Sequence, residues 1–217
     1  MTENSPKSTA DTTMTAEELR VEGAFAFTPQ VFPDDRGYFL APFQEPAFTE
    51  VLGHGLFQVA QANHSRSRRG VVRGVHYTVA PPGSAKYVHC MRGRSLDIVV
   101  DIRVGSPTYG RWDAVLLDQA DFRAVYLPLG VGHAFIALED DTVMSYFISS
   151  SYVPEYELAV DAFDPALGLP VPEDITPIRS PRDTVAPKLA EAREQNRLPH
   201  YTECKRLEAD LYAGSGS

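Results

Sequence analysis

The 217-residue sequence predicts a mainly β domain, a sandwich or barrel with a short helical appendage at its C-terminal end. Three observations predict it. Short segments rich in Val, Tyr and Phe recur about every ten residues, broken by Gly, Pro and Asp. One of them, Leu96–Ile102, is nearly continuous in apolar residues, as a central strand buried on both faces must be. Helical signals are confined to two stretches.

Taken in order, residues 1–16 are rich in Thr and Ser without an apolar period, and a disordered leader is expected there. The expected strands are Gly37–Leu40, Val71–Tyr77, Tyr87–Met91, Leu96–Ile102, Asp113–Leu117, Ala124–Leu127, His133–Leu138 and Val143–Ser149. Glu45–Leu52 is one expected helix. Ala186–Arg197 is another, with Arg182, Asp183 and Thr184 leading in and Leu198–Pro199 ending it. AGSGS, residues 213–217, reads as a flexible tail. With no internal repeat and no long linker, residues 17–212 are expected to form one domain.

Composition narrows the function. The net charge is −9, which argues against general nucleic-acid or membrane-surface binding, so any anionic ligand needs a local basic patch. The two cysteines, Cys90 and Cys204, form no CxxC and no disulfide framework, which fits a reducing compartment. No apolar run reaches the roughly 18 residues of a membrane span, and the polar N-terminus lacks an apolar signal core. The expected location is the cytoplasm.

Two stretches fit a barrel template that resembles the cupins. Pro128-Leu129-Gly130-Val131-Gly132-His133 fits the second cupin motif, Pro-x-Gly-x-x-His. In the first motif Gly70 is followed after five residues by His76, but Thr78 stands where a second histidine belongs and Lys86 where a glutamate belongs. An ammonium has no lone pair to give and repels a cation, so a metal site is not expected. Without a metal, His76 becomes a candidate acid/base, its ordinary pKa near 6.5 suiting proton transfer at neutral pH. A hydrogen-bonded structural histidine is the plainer alternative. Side chains on a strand share a face every second residue, so Arg73, His76 and Lys86 need not meet. His133 follows two glycines that let the backbone approach a ligand.

Arg66, Arg68, Arg69 and Arg73 lie in the dense basic stretch 63–74, and arginine suits bidentate phosphate contacts. That stretch is either an anion site or a solvated loop. Arg36 is a second anion candidate, or a turn residue paired with Asp34 or Asp35. Tyr146 is a candidate proton donor opposite a histidine base. Tyr152 is placed to stack on a ring. Asp183 is either a helix N-cap or the partner that orients His76.

The strings FPDDRGYF, QANHSRSRRGVVRGVHYT, PPGSAKYVHCMRG, DIVVDIRVGSPTYGRW, YLPLGVGHAF, MSYFISSSYVPEYE and FDPALGLPVP occur in the same order as in the dTDP-4-dehydrorhamnose 3,5-epimerase family. The chain resembles that family over roughly residues 20–200, with PPGSAKYV and GVGHAF similar to its antibiotic-deoxysugar branch. The resemblance implies a cupin-like jelly-roll barrel, a homodimer, no metal or organic cofactor, and a dTDP-4-keto-6-deoxyhexose as substrate. It implies that His76 is the general base, Asp183 its orienting partner, Tyr146 the acid on the opposite face and Lys86 the cation on the enolate oxygen. It places Arg36, Arg73 and His133 near the sugar nucleotide, with Arg36 acting across the dimer. Gln61 and Asn63 match polar contacts, Asp97 a carboxylate near the site and Tyr152 an aromatic near the nucleotide. Ala41, Thr78 and Val171 depart from the common pattern near sugar contacts. They leave open whether carbons 3 and 5, 5 alone or 3 alone are inverted. A non-catalytic sugar-nucleotide-binding cupin is the alternative of another class.

Overall fold

A computed structural model of the chain describes residues 14–213. The expected leader up to residue 13 and the tail from residue 214 lie outside the described residues. The leader boundary itself is corrected. Met14–Glu18 forms β1, paired antiparallel with β2 (Phe25–Pro29), and Met14 is buried.

The chain continues through β3 (Val31–Asp34), β4 (Gly37–Leu40), α1 (Glu45–Leu52), β5 (Gln61–Ser67), β6 (Val72–Thr78), β7 (Lys86–Arg92) and β8 (Arg94–Val100). It then forms β9 (Trp112–Asp118), β10 (Ala124–Leu127), β11 (Gly132–Ala137), β12 (Thr142–Ile148), β13 (Glu157–Ala159), α2 (Pro181–Thr184), α3 (Leu189–Glu194) and α4 (Tyr201–Tyr212). α1 matches its expected bounds, set by Pro46 in its first turn and by Gly53 at φ +76° after its last residue. The helix expected over 186–197 is shorter, because Pro187 lies before the first turn and α3 ends at Glu194.

Two antiparallel sheets carry the fold. One has the order β1-β2-β10-β7-β12-β5, the other β13-β6-β11-β8-β9. Strands β5 to β12 thus form β5-β12-β7-β10 on one side and β6-β11-β8-β9 on the other, the jelly-roll arrangement of cupin-like proteins. The expected barrel is corrected in one respect. The two sheets are not joined into a closed barrel, and β5 and β13 remain edges.

The sheets face each other across a core of Val88, Val125 and Met144 from the first and Val99, Val115, Leu117 and Phe135 from the second. On the far side of the first sheet α1 lays Phe48 on Phe27, ring centroids 4.2 Å apart and nearly parallel. Burying each of these rings contributes roughly 1.5–3 kcal/mol. The DIRVGSPTYGRW string has a structural task. Fully buried Arg103 is bound by Asp101 at 2.8 Å, and Ser106 and Thr108 donate to the same carboxylate. Arg103 also lies over the Tyr201 ring at 5.2 Å, which docks α4 on the barrel-like body.

One irregularity positions the site. In the β6–β11 pair His76 faces His133, but Arg73 faces Phe135. Three residue steps in β6 therefore match two in β11, a bulge that returns Arg73 and His76 to the same face. Gly74 makes the bulge at φ +112°, where an added Cβ would run into the His133 carbonyl and Ala134. Gly74→Ala is expected to destabilise the protein by about 2–3 kcal/mol, a fall in thermal midpoint of roughly 5–10 °C for a domain of this size, read by calorimetry.

Candidate active site

The open end of the two sheets forms a cleft of about 520 Å³. Its lining includes Asn63 and Ser65 of β5, Arg73 and His76 of β6, Lys86 of β7, His133 and Phe135 of β11, Tyr146 and Ile148 of β12, Tyr152 and Glu157. The bulge at Gly74 is why Arg73 and His76 both reach it, against simple alternation along a strand.

His76 Nε2 bonds Asp183 Oδ1 at 2.6 Å. Asp183 is brought there by α2, a single turn capped by Ser180, whose Oγ accepts the Asp183 N–H. Asp183 is thus not the cap but the third residue of a capped turn, its carboxylate free for the imidazole. Burial pushes its carboxyl up, yet the bonds from His76, Ser180 and the Gly74 backbone outweigh burial and hold it below its ordinary value. With Nε2 engaged, Nδ1 is the ring nitrogen left to take a proton.

A second dyad stands beside the first. His133 Nε2 bonds Asp97 Oδ2 at 2.7 Å, and both side chains are buried. Asp97 sits behind His133 and does not line the cleft.

The opposite wall belongs to the other sheet. Tyr146 lies 6.1 Å, ring to ring, from His133, and its hydroxyl is 3.4 Å from Ser65 Oγ. Burial pushes the phenol pKa well up, so the proton stays on the oxygen. Lys86 enters from the same sheet. Burial lowers its pKa, against the opposing pull of Glu157 and with a further push from Arg182.

Gln61 does not itself line the cleft but orders two residues that do. Its Nε2 donates to Asn63 Oδ1 at 2.7 Å and its Oε1 accepts the Tyr152 N–H at 2.8 Å. Tyr152 itself is 54 % exposed. The basic stretch is split. Arg66 pairs with Asp141 and Arg69 with Asp174 at the surface, and Arg73 alone of the four arginines lines the cleft. Arg36 does not line it either. It sits on the exposed β3–β4 hairpin, paired with Asp34 at 2.6 Å.

The metal of metal-dependent cupins does not fit these residues. Lys86 and Thr78 occupy two ligand places, which leaves only His76 and His133 of a ligand set that needs four, and the Lys86 ammonium has no lone pair to give. Among the described residues no group of three His, Cys, Asp or Glu is placed to hold a metal ion.

The family model of dTDP-4-dehydrorhamnose 3,5-epimerase matches residues 18–191. The chain belongs to this family. A dTDP-4-dehydrorhamnose 3,5-epimerase of Mycolicibacterium smegmatis is 50 % identical over 192 residues, 88 % of this chain and 94 % of that protein. A dTDP-4-dehydro-6-deoxyglucose 3-epimerase of Streptomyces bikiniensis is 47 % identical over 183 residues, covering 84 % and 93 %. The crystal structure of a 3'-monoepimerase from the same organism, in complex with dTDP-quinovose, superposes with a TM-score of 0.86 at 44 % identity, over 91 % of this chain and 99 % of that one. The chain is thus an isomerase, a member of the dTDP-4-dehydrorhamnose 3,5-epimerase family.

Sequence reasoning missed Ser65, Phe135 and Glu157 in this epimerase fold. Ser65 had a usable signal: Gln61, Asn63, Ser65 and Ser67 alternate along β5 with a period of two. Glu157 had none, since its place depends on β13 pairing with β6. No helix of the described residues is long and apolar enough to cross a membrane.

Proposed function

We propose that the chain epimerises a dTDP-4-keto-6-deoxyhexose without a cofactor, inverting carbon 3, carbon 5 or both through an enolate at carbon 4. One observation carries this reading. His76 of one sheet, bonded to Asp183 of α2, and a protonated tyrosine of the other sheet face a single cleft, with Lys86 at its wall. Inversion next to a ketone needs that division. His76 removes the proton from the carbon flanking carbon 4, and the electron pair moves onto the carbonyl oxygen. Lys86 stabilises the enolate oxygen by its charge. Tyr146 then delivers its proton to the other face of the carbon.

Arg73 and His133, with Gln61, Asn63 and Tyr152 at the mouth, hold the sugar nucleotide in this reading. Asp97 holds His133 in its tautomer. We assign Arg36 to the cleft of a second copy in a homodimer. The hairpin that carries it exposes Phe32, Tyr38 and Phe39, the last by 71 %, an apolar surface suited to burial against another copy.

The test is incubation with dTDP-4-keto-6-deoxyglucose in deuterated water, followed by proton NMR. Loss of the proton signals at carbons 3 and 5 is the expected result for a double epimerase. Loss at carbon 3 alone makes the chain a mono-epimerase, a second reading that stands beside the first because relatives of both kinds match at similar identity, 50 % for a 3,5-epimerase and 47 % for a 3-epimerase. Retention of both signals at stoichiometric enzyme rejects the proposed reaction on this sugar.

A further inference from the structure

Glu157 is the one carboxylate among the described residues that line the cleft, and the reaction above gives it no task. β13 sets it directly opposite Thr78 of β6. Thr78 Oγ1 donates to Glu157 Oε1 at 2.6 Å. Arg182 Nη2 donates to the Glu157 backbone carbonyl at 2.8 Å, which anchors the short strand. The carboxylate is therefore held in one orientation beside the cleft, with little freedom left to lose when substrate enters.

We propose that Glu157, clamped by Thr78 and Arg182, is the counter-charge that keeps Lys86 cationic for the enolate oxygen. The proposal rests on the reading of Lys86 as the enolate-stabilising cation. Burial favours the neutral amine of Lys86, and Glu157 is the foremost charge that opposes it. The other charged and titratable groups facing Lys86 offer no anion. Arg182 of α2 acts against the ammonium. His76 and Arg73 of β6 and His133 of β11 are bases or cations, and buried Tyr146 of β12 keeps its proton.

The separation of the pair matters as much as its charge. Among the described residues no acid stands within salt-bridge distance of Lys86, so Glu157 acts through space. A contact ion pair would occupy the ammonium donors. A carboxylate held further off keeps the proton on nitrogen and leaves those donors to the substrate oxygen. Glu157 is thus a positioning residue, acting on the reaction through Lys86.

The experiment is the pH profile of kcat for the full chain and its variants, with KM measured alongside. Burial moves Lys86 down and Tyr146 up, so the alkaline limb of the profile reports Lys86. Glu157→Gln keeps the size and the acceptor for Thr78 and removes only the charge. It is expected to move the alkaline limb down by about one pH unit with KM within about twofold. Thr78→Val loosens the clamp and is expected to move the limb in the same direction by less. Glu157→Asp restores part of the shift. In Lys86→Arg the group no longer titrates in this range, so adding Glu157→Gln leaves the limb where it is. An unmoved limb in both Glu157→Gln and Thr78→Val overturns the proposal, and so does a rise in KM with the limb in place. Wild-type kcat in Lys86→Met would instead defeat the reading of Lys86 on which it rests.

Discussion

In His76→Asn, deuterium from solvent no longer enters the sugar at carbon 3 or carbon 5, and kcat falls by about a thousandfold or more. The Asp183 carboxylate keeps its bonds from Ser180 and the Gly74 backbone, so it is not left unpaired and the protein stays folded. What is lost is the basic nitrogen. A positioned general base contributes on the order of 10²–10⁴ in rate, and deprotonation is the step on which every later step depends. Substrate binding rests on other groups, so KM is expected to change by no more than a few-fold. Proton NMR in deuterated water reads both effects at once. Exchange at the wild-type rate in the folded variant would remove His76 from the role of base.

Tyr146→Phe separates the two halves of the reaction. The ring stays in place against His133, and the hydroxyl gives up one weak bond, 3.4 Å long, to Ser65. Stability should therefore change by less than about 1 kcal/mol. The acid that serves the opposite face is gone, and inversion is expected to fall by about 10²–10³. Deprotonation by His76 does not need it. Deuterium should still wash into the carbon from the face of the base, without inversion. The ratio of exchange to inversion is expected to rise above the wild-type ratio by the same factor. Inversion at the wild-type rate would exclude Tyr146 as the acid.

Much of the site could be read before the fold was known, because it is carried by residue types that few structural roles require together. A lysine at the place of a metal-binding glutamate argues against one chemistry and suggests another through charge alone. His76, Tyr146 and His133 sit in strands whose bounds follow from local turn residues, and the expected segments lie within two residues of the observed ones. The strand β5 escaped for a physical reason. It is an edge strand with one face on a wet cleft and the other on solvent, so its residues 61–67 show no apolar alternation and read as a polar loop. β1 escaped because residues 14–18 combine two acids with small residues, and it exists through its pairing with β2. The helix α4 carries many charges and is held by Arg103 over Tyr201 and by the Tyr126–Tyr212 hydroxyl pair, contacts made far apart in the chain.

The sequence by itself determined the fold class, most of the central strand segments and a set of candidate proton-handling residues. Those depend on turn chemistry, apolar runs and functional groups, all local to a few residues. Tertiary structure alone decided which of these groups meet. The bulge at Gly74 turned Arg73 and His76 to one face, and a capped turn more than a hundred residues along the chain brought Asp183 to His76. The pairing of β13 with β6 set Glu157 against Thr78 and on the wall of the cleft that Lys86 also lines, while Arg66 and Arg69 went to surface ion pairs. Facing across a cleft is a property of strand register and sheet packing, and register is fixed by the sum of contacts along whole strands rather than by any residue in the motif.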